Sequence, residues 1–258
     1  MPHLADLLDA TRARVEESKA RVTADVLEQR AVAVDAPRGF ARALRGDDVA
    51  VIAEIKRASP TRGAIDLDLN AAELASRYAS GGAAAISVLT EPDRFHGSLE
   101  DLHAARAAGL PVLRKDFIID DWQVLESRAV GADAVLLIVR ALEDAALQRL
   151  LSLTESLGMD ALVEVHTEDD VGRAVDAGAD VIGVNHRDLD TFSVDPDRTA
   201  KLAGLVPRDR TLVGLSGVAT RADVERLVDA GASAILVGEA LVAASDPARK
   251  LLELRGMA

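Results

Sequence analysis

Four charged residues stand where short apolar runs give way to polar sequence. Glu54 and Lys56 close the first run, Lys115 closes a later one, and Glu164 lies near the end of another. Residues two apart on a strand project to the same side, so Glu54 and Lys56 are predicted to point the same way. Ammonium and carboxylate groups that meet at one edge are typical of acid–base sites. The sequence therefore indicates a site that transfers protons.

The choice of lysine at these positions supports that interpretation. The chain has 25 arginines but only the lysines Lys19, Lys56, Lys115, Lys201 and Lys250. An arginine stays charged in a protein, whereas a lysine can be tuned into a proton donor. The structural alternative is that Lys56 and Lys115 merely form ion pairs with Glu54 and Glu164.

Two glycine-containing loops are candidates for binding phosphate. Ser216-Gly217 follows one late apolar run and Gly238-Glu239 follows the next. Loops of this kind, with backbone N–H groups at a helix start, commonly hold phosphate groups. The alternative is that both are ordinary turns, because glycine is common in turns.

Metal and thiol chemistry are not indicated. The chain has no cysteine, and none of its five histidines has a partner at the spacing of metal ligands on a helix. His166 and His186 are therefore interpreted as solvated or hydrogen-bonded structural residues, although His186 lies close enough to the predicted site to touch a substrate.

Eight short apolar runs, each followed by a helical pattern, must position these residues. Continuous rather than alternating hydrophobicity is what a parallel sheet covered on both faces requires. The pattern predicts an α/β protein of the (β/α)8 TIM-barrel class, with an open doubly wound sheet as the alternative. The predicted strands are 49–55, 83–89, 111–115, 133–139, 161–165, 180–184, 211–215 and 233–238.

An internal repeat favours the closed barrel. Gly-Ala pairs begin at Gly82, Gly131, Gly178 and Gly231, and so are separated by 49, 47 and 53 residues. Each pair is predicted to end a helix on a left-handed glycine and then to lead into a strand. The pairs precede the second, fourth, sixth and eighth strands, so the spacing equals two βα units across the whole barrel.

Length and composition set the remaining limits. Residues 1–258 are predicted to form a single TIM-barrel domain, with 1–48 as an N-terminal helical extension and 49–258 as the barrel. The net charge of −13 argues against a nucleic-acid partner. No signal peptide or membrane span is indicated. We therefore expect a cytoplasmic enzyme that is a monomer or a weak homo-oligomer.

Several segments resemble those of one known family in order along the chain. They are IAEIKRASPTRG (52–63), SVLTEPDRFHGS (87–98), PVLRKDFIID (111–120), ADAVLLIV (132–139), LVEVH (162–166) and NHRDLDTFSVD (185–195). They closely resemble indole-3-glycerol phosphate synthase, and the helical extension is also similar to that family's. The resemblance implies ring closure of 1-(2-carboxyphenylamino)-1-deoxyribulose 5-phosphate, with loss of CO2 and water, in tryptophan biosynthesis. It implies no metal and no organic cofactor.

The same resemblance implies roles for individual residues. Lys115 matches the general acid that protonates the substrate carbonyl, and Glu164 its acid–base partner. Lys56 and Glu54 match the pair that serves the dehydration and orients the anthranilate carboxylate. Asn185 matches the residue that binds the hydroxyl and the intermediate. The predicted substrate and phosphate contacts are Ser59, Arg187, Ser216, Gly217, Gly238 and Glu239, and Phe95, Phe117, Pro60 and Leu136 are the predicted walls of an aromatic pocket.

The chain departs from the family pattern at two positions. Leu215 stands where the family usually has a pocket glutamate, and His186 stands where it usually has a second asparagine. Leu215 is therefore predicted to impair the enzyme. Two alternatives remain open: a lyase or aldolase in which Lys115 forms a Schiff base with a sugar phosphate, and a non-catalytic homologue.

Overall fold

Eight parallel strands close into a barrel in which each strand pairs with the next along the chain and the last pairs with the first. The computed structural model describes residues 4–188 and 190–257. The closed order confirms the predicted barrel and excludes the open doubly wound sheet. The barrel strands are β1 (Ala50–Ile55), β2 (Ala85–Leu89), β3 (Val112–Lys115), β4 (Ala134–Ile138), β5 (Asp160–Val165), β6 (Val181–Asn185), β7 (Thr211–Leu215) and β8 (Ala234–Val237).

Helices precede the barrel and cover its outside. In chain order they are α1 (Leu4–Arg21), α2 (Ala24–Ala33), α3 (Phe40–Ala43), α4 (Ala71–Ser80), α5 (Pro92–Phe95), α6 (Leu99–Ala105), α7 (Asp121–Ala129), α8 (Asp144–Ser156), α9 (Glu168–Asp176), α10 (Arg198–Leu202), α11 (Arg221–Asp229), α12 (Glu239–Val242) and α13 (Pro247–Arg255). Short 3₁₀ turns cover Arg106–Ala108, Val139–Ala141 and Ala203–Leu205, and an antiparallel hairpin joins Ala58–Ser59 to Gly63–Ala64. Within the described residues, the helices are too short or too polar to span a bilayer.

The N-terminal helices pack against the barrel at several points. On α3 and just after it, Phe40 and Leu44 are fully buried in the same apolar cluster as the barrel interior. The backbone N–H of Ala41 donates to Asp160 Oδ2 at 2.8 Å, and Asp160 begins β5. Because strands begin at the N-terminal end of a barrel, α3 closes the end opposite to the one where function is expected.

The predicted Gly-Ala repeat has the expected backbone geometry. Gly82, Gly131, Gly178 and Gly231 have φ angles of 80°, 90°, 92° and 99°. Glycine adopts this left-handed region without the Cβ clash that other residues meet, so each one can end a helix and turn the chain toward the next strand. The strands that follow are β2, β4, β6 and β8, which confirms the spacing of two βα units.

Strand register brings the predicted catalytic residues to one end of the barrel. Glu54 pairs with Ser87 between β1 and β2, and Lys115 pairs with Leu89 between β2 and β3. On the far side of the barrel, Glu164 pairs with Gly183. These residues lie at the C-terminal ends of their strands, where barrel enzymes carry their active sites.

Candidate active site

A cavity of about 320 Å³ opens at the C-terminal ends of the strands, and we call it the mouth cavity. It is bounded by residues from the loops after β1, β6, β7 and β8. Most of the residues predicted from sequence line it. These are Glu54, Lys56, Ser59, Pro60, Phe95, Lys115, Asn185, Arg187, Ser216, Gly217, Gly238 and Glu239.

A second cavity of about 60 Å³ adjoins the first and contains the remaining predicted residues, Phe117, Leu136 and Glu164. The two cavities share four lining residues, Leu89, Phe95, Lys115 and Asn185. Lys115 and Asn185 therefore face both spaces. The structure thus gathers all of the predicted catalytic and substrate-binding residues around two adjoining cavities.

Both predicted lysines pair with the same carboxylate. Lys56 Nζ lies 2.9 Å from Glu54 Oε1, and Lys115 Nζ lies 3.7 Å from Glu54 Oε2. Burial alone would raise the pKa of Glu54, but the two neighbouring ammonium groups outweigh it and lower that pKa below its usual value. Glu54 is therefore anionic at neutral pH. In the described part of the chain, both lysines thus form the ion pairs with Glu54 that the structural alternative expected, and neither pairs with Glu164.

Two neighbours fix the position of Glu54. The Tyr78 hydroxyl, fully buried on α4, donates to the Glu54 backbone carbonyl at 3.0 Å. On the other side, Gly238 leaves room for the carboxylate, because a Cβ built on Gly238 would lie 2.3 Å from Glu54 Oε1 and 3.2 Å from Lys56 Nζ. The Glu54 carboxylate thus packs so close to Gly238 that a larger residue would displace it, whether or not Gly238 contacts phosphate.

Replacing Gly238 by alanine is expected to lower kcat/KM about tenfold, a change of about 1.4 kcal/mol in transition-state stabilisation. The new methyl group displaces the Glu54 carboxylate from Lys56, while the fold is kept. Steady-state kinetics and a thermal melt measure the two effects. Gly172→Ala is the matched control, since nothing lies within 4 Å of that position. Unchanged kinetics for Gly238→Ala would show that the placement of Glu54 is unimportant.

Glu164 is held by residues other than lysine. Asn185 Nδ2 donates to Glu164 Oε1 at 2.9 Å, and His166 Nε2 lies 3.6 Å from the same oxygen. His166 is buried, and neither of its ring nitrogens has a hydrogen-bond partner among the described residues. The sequence left open whether His166 is solvated or hydrogen-bonded, and the structure buries it beside Glu164. Sequence could not distinguish these cases, because the burial of a strand-end residue depends on the loops that cover it.

A set of cations surrounds Glu239 at the other side of the mouth cavity. Its carboxylate lies 3.6 Å from Arg62, 3.9 Å from Lys56 and 4.0 Å from Arg187. Arg187 is itself oriented by a hydrogen bond from its side chain to the Phe192 carbonyl. Arg62 lies within one of the family-like segments but was not singled out from sequence. Together these groups make this side of the cavity suitable for an anion.

A buried network that the sequence did not reveal supports the segment after Lys115. Asp116 accepts hydrogen bonds from Thr90 at 2.8 Å, from Arg114 at 3.1 Å and from Arg14 at 3.2 Å. Arg14 belongs to α1, so the N-terminal extension contacts the residue next to Lys115. The signal for Asp116 was its place in the segment PVLRKDFIID, whereas nothing in the sequence marks Arg14.

The walls of both cavities are largely apolar. Phe95 borders the two spaces, while Phe117 and Leu136 line the second one. Further apolar lining residues, Leu89, Ile138, Phe192 and Leu236, were missed. In the sequence, Leu89, Ile138 and Leu236 at strand ends look the same as core residues, and Phe192 lies in the loop after β6. Only the closed barrel shows that these four border a cavity.

Leu215 lies at the boundary between the mouth cavity and the barrel interior. It pairs with Asn185 on β6 and with Leu236 on β8, and it is 1% exposed. A Cβ added to Gly183 would lie 2.9 Å from Leu215 Cδ1, so the leucine fills the space above that glycine. The side chain therefore combines contact with the cavity and tight apolar packing.

The arrangement is suited to acid–base chemistry on an elongated anionic molecule. One region holds ammonium groups beside an ionised carboxylate, a second holds Glu164 with Asn185, and a third holds arginines beside glycine-containing loops. Apolar side chains border the space around the first two. Such a site can bind an aromatic group and an anion at opposite ends and move protons between them.

Comparison with known proteins gives one consistent family. A family model described as indole-3-glycerol phosphate synthase matches residues 4–254. The indole-3-glycerol phosphate synthase of Mycolicibacterium vanbaalenii is 51% identical over 252 residues, which cover 97% of this chain and 93% of that protein. Indole-3-glycerol phosphate synthase 2 of Streptomyces coelicolor is 50% identical over 254 residues, which cover 98% of each chain.

Solved structures of lower identity share the fold. Thiamine phosphate pyrophosphorylase from Pyrococcus furiosus superposes with a TM-score of 0.60 at 17% identity, covering 81% of this chain and 94% of that one. Orotidine 5'-phosphate decarboxylase from Pyrococcus horikoshii gives a TM-score of 0.59 at 15% identity, covering 80% and 99%. At these identities the likeness shows the barrel alone.

Proposed function

The chain belongs to the indole-3-glycerol phosphate synthase family, and from that premise we propose how its two cavities divide the work of closing the indole ring. The family reaction makes the chain a carboxy-lyase of tryptophan biosynthesis. It converts 1-(2-carboxyphenylamino)-1-deoxyribulose 5-phosphate to indole-3-glycerol phosphate with loss of CO2 and water. The substrate has an aromatic carboxylate at one end and a phosphate at the other.

Lys115 is the general acid of the ring closure in this proposal. The anthranilate ring carbon that carries the carboxylate attacks the ribulose ketone, and the ketone oxygen must take up a proton as the new carbon–carbon bond forms. An ammonium group supplies both the proton and the positive charge that polarises the carbonyl. Lys115 is supported in this role because it faces both cavities, where the two reacting parts of the substrate meet.

Glu164 and Asn185 serve the step that follows loss of CO2. The intermediate must lose a hydroxyl group and a proton to become an aromatic indole, so both an acid and a base are needed. Glu164 borders the second cavity and is held by the Asn185 amide at 2.9 Å. The same amide is placed to bind the hydroxyl group of the intermediate.

Glu54 and Lys56 orient the aromatic carboxylate and assist the dehydration. The pair shares a 2.9 Å contact in the mouth cavity. Lys56 offers a positive charge to the substrate carboxylate, and the ionised Glu54 balances the charge of both lysines. Phe95, Phe117, Pro60 and Leu136 then enclose the aromatic ring.

The phosphate binds on the opposite side of the mouth cavity. Arg187 supplies charge, and the loops at Ser216-Gly217 and Gly238-Glu239 supply backbone N–H groups. Ser59 and Arg62, from the loop after β1, cover the substrate from above. The Glu239 carboxylate holds the neighbouring cations in place until the substrate arrives.

We further propose that the enzyme works in the cytoplasm as a monomer or weak homo-oligomer. Its substrate is a phosphorylated metabolite, which is charged and does not cross membranes unaided. The exposed large apolar side chains of the described residues, for example Val32, Leu67, Leu205 and Met257, belong to separate segments of the chain.

One observation carries the proposal: two adjoining cavities share Lys115 and Asn185, and the shared residues lie between an aromatic-lined space and an arginine-containing one. The test is to incubate the purified protein with the carboxyphenylamino-deoxyribulose phosphate and follow the fluorescence of the indole product. We expect turnover without added metal or cofactor. A protein that binds the substrate but never forms indole would contradict the proposal.

A further inference from the structure

Two consecutive residues after β7 adopt left-handed backbone conformations. Ser216 has a φ of +68° and Gly217 a φ of +75°, and we call this pair the phosphate loop because both line the mouth cavity. Glycine adopts this conformation freely, but a serine does so only when its surroundings impose it. Some neighbouring group must therefore hold Ser216.

The imidazole of His186 is that group. Its Nδ1 lies 3.1 Å from the Ser216 carbonyl oxygen, and its Nε2 lies 2.7 Å from the Thr199 hydroxyl. In addition, the backbone N–H of His186 donates to the Leu215 carbonyl at 3.0 Å. The side chain thus connects α10 to the loop through two short contacts, and the His186 backbone is tied separately to the end of β7.

The partners determine the tautomer. A carbonyl oxygen can only accept, so Nδ1 must carry the proton and donate it to Ser216. Nε2 is then unprotonated and accepts from the Thr199 hydroxyl, which can donate. Both His186 and Thr199 are buried, at 1% and 0% exposure. The contacts are therefore shielded from competing water.

The charges around the ring favour this neutral form. Burial lowers the pKa of His186, the hydrogen bond to the Ser216 carbonyl opposes that shift, and Arg198 and Arg226 lower the pKa further against the influence of Asp195. The net shift is downward. The imidazole therefore keeps one donor and one acceptor at neutral pH.

His186 does not contact the cavity itself, since it is absent from the residues that line either space. The interpretation of His186 as a hydrogen-bonded structural residue fits these contacts. We propose that His186 is a positioning residue: with Thr199 it holds the phosphate loop in its left-handed conformation and so sets the affinity of the site for the substrate phosphate. The inference rests on the proposed function, in which this loop binds that phosphate.

The consequence is a separation of binding from chemistry. The loop contributes backbone N–H groups to the phosphate end of the substrate, which does not react. Loss of its conformation should weaken binding of the ground state and the transition state equally, which raises KM and leaves kcat nearly unchanged. Replacing a residue with a merely structural role would instead lower the stability of the protein, or would change kcat and KM together.

The experiment compares His186→Leu, Thr199→Val and the double variant with the wild-type enzyme. We expect KM for the phosphorylated substrate and Ki for inorganic phosphate each to rise about tenfold, or 1.4 kcal/mol, with kcat changed less than about threefold. Because the two residues act through one series of contacts, the double variant should raise KM and Ki no further than His186→Leu alone. His186→Asn keeps a donor at the δ position but loses the contact with Thr199, so it should restore only part of the phosphate affinity. His103→Leu, at an exposed histidine on α6, is the control.

The outcomes separate the two proposals. Wild-type protein that neither turns over the substrate nor binds inorganic phosphate by calorimetry contradicts the proposed function and this inference with it. Wild-type protein that does both, while folded His186→Leu binds phosphate equally well, overturns the inference alone. A fall in kcat at unchanged KM also overturns it. If His186→Leu fails to fold, the phosphate affinity of Thr199→Val tests the inference, because that variant removes only one hydroxyl group from the same series of contacts.

Discussion

Replacing Lys115 by alanine is expected to lower kcat by about 10²–10⁴-fold, the range typical of general acid–base catalysis. The substitution removes the only proton donor that faces both cavities, among the lining residues described above, at the point where the ketone oxygen must be protonated. Lys115 is not a core side chain, so the thermal melt should stay close to that of the wild type. Single-turnover kinetics with the carboxyphenylamino-deoxyribulose phosphate measure the fall in kcat.

Two further variants sharpen this test. Lys115→Arg keeps a positive charge beside Glu54 but does not readily release a proton, so its kcat should also stay low. Lys201→Ala, at an exposed lysine that pairs with Asp195, is the control and should be fully active. A Lys115→Ala enzyme that retains more than about a tenth of the wild-type kcat would rule out the general-acid role.

The chemistry of Lys115 also distinguishes ring closure from a Schiff-base mechanism. A Schiff base needs a neutral amine that attacks a carbonyl carbon, whereas the proposed mechanism needs an ammonium group that donates to a carbonyl oxygen. The carboxylate of Glu54 lies 3.7 Å from Lys115 Nζ, an arrangement that suits the charged form. Borohydride treatment in the presence of substrate should therefore leave Lys115 unmodified.

Replacing Leu215 by glutamate is expected to raise kcat/KM about ten- to a hundredfold. The resemblance to the family implies a glutamate at this position, and the leucine lines the mouth cavity together with Lys56 and Lys115. A carboxylate there can accept hydrogen bonds from the substrate hydroxyls and from Asn185, its neighbour on β6. A hydrogen bond to a charged group contributes about 1.5–3 kcal/mol, and about 1.4 kcal/mol corresponds to tenfold in rate.

The opposing effect is the cost of burying a charge. Leu215 is 1% exposed and fills the space above Gly183, so an unpaired carboxylate would destabilise the barrel. Leu215→Gln separates the two effects, because it adds hydrogen-bonding atoms without the charge. Unchanged or lower kcat/KM for Leu215→Glu, with the fold intact, would show that the neighbours have adapted to leucine and that the enzyme is not impaired by it.

Much of the fold was determined by the sequence alone. Continuous apolar runs predicted all eight barrel strands to within a few residues at each end, because a strand buried on both faces favours apolar side chains along most of its length. The glycines of the Gly-Ala repeat were predicted to be left-handed, and they are. The local signal was sufficient because it depends on backbone sterics and burial, which act over a few residues.

The membership of the site was also largely contained in the sequence. Residues at the C-terminal ends of barrel strands meet at one mouth whatever their side chains, so Glu54, Lys115, Glu164 and Asn185 could be placed together from strand order alone. Their types then indicated proton transfer.

Only the tertiary structure decided which of these residues touch. Lys56 and Lys115 share Glu54, while Glu164 is held by Asn185. Arg14 reaches Asp116 from α1, and His186 contacts the Ser216 carbonyl. Each of these contacts joins segments far apart in sequence, or turns on a rotamer chosen by neighbours from several strands. The register of a closed barrel and the packing of its loops set those distances, and no local pattern of residues encodes them.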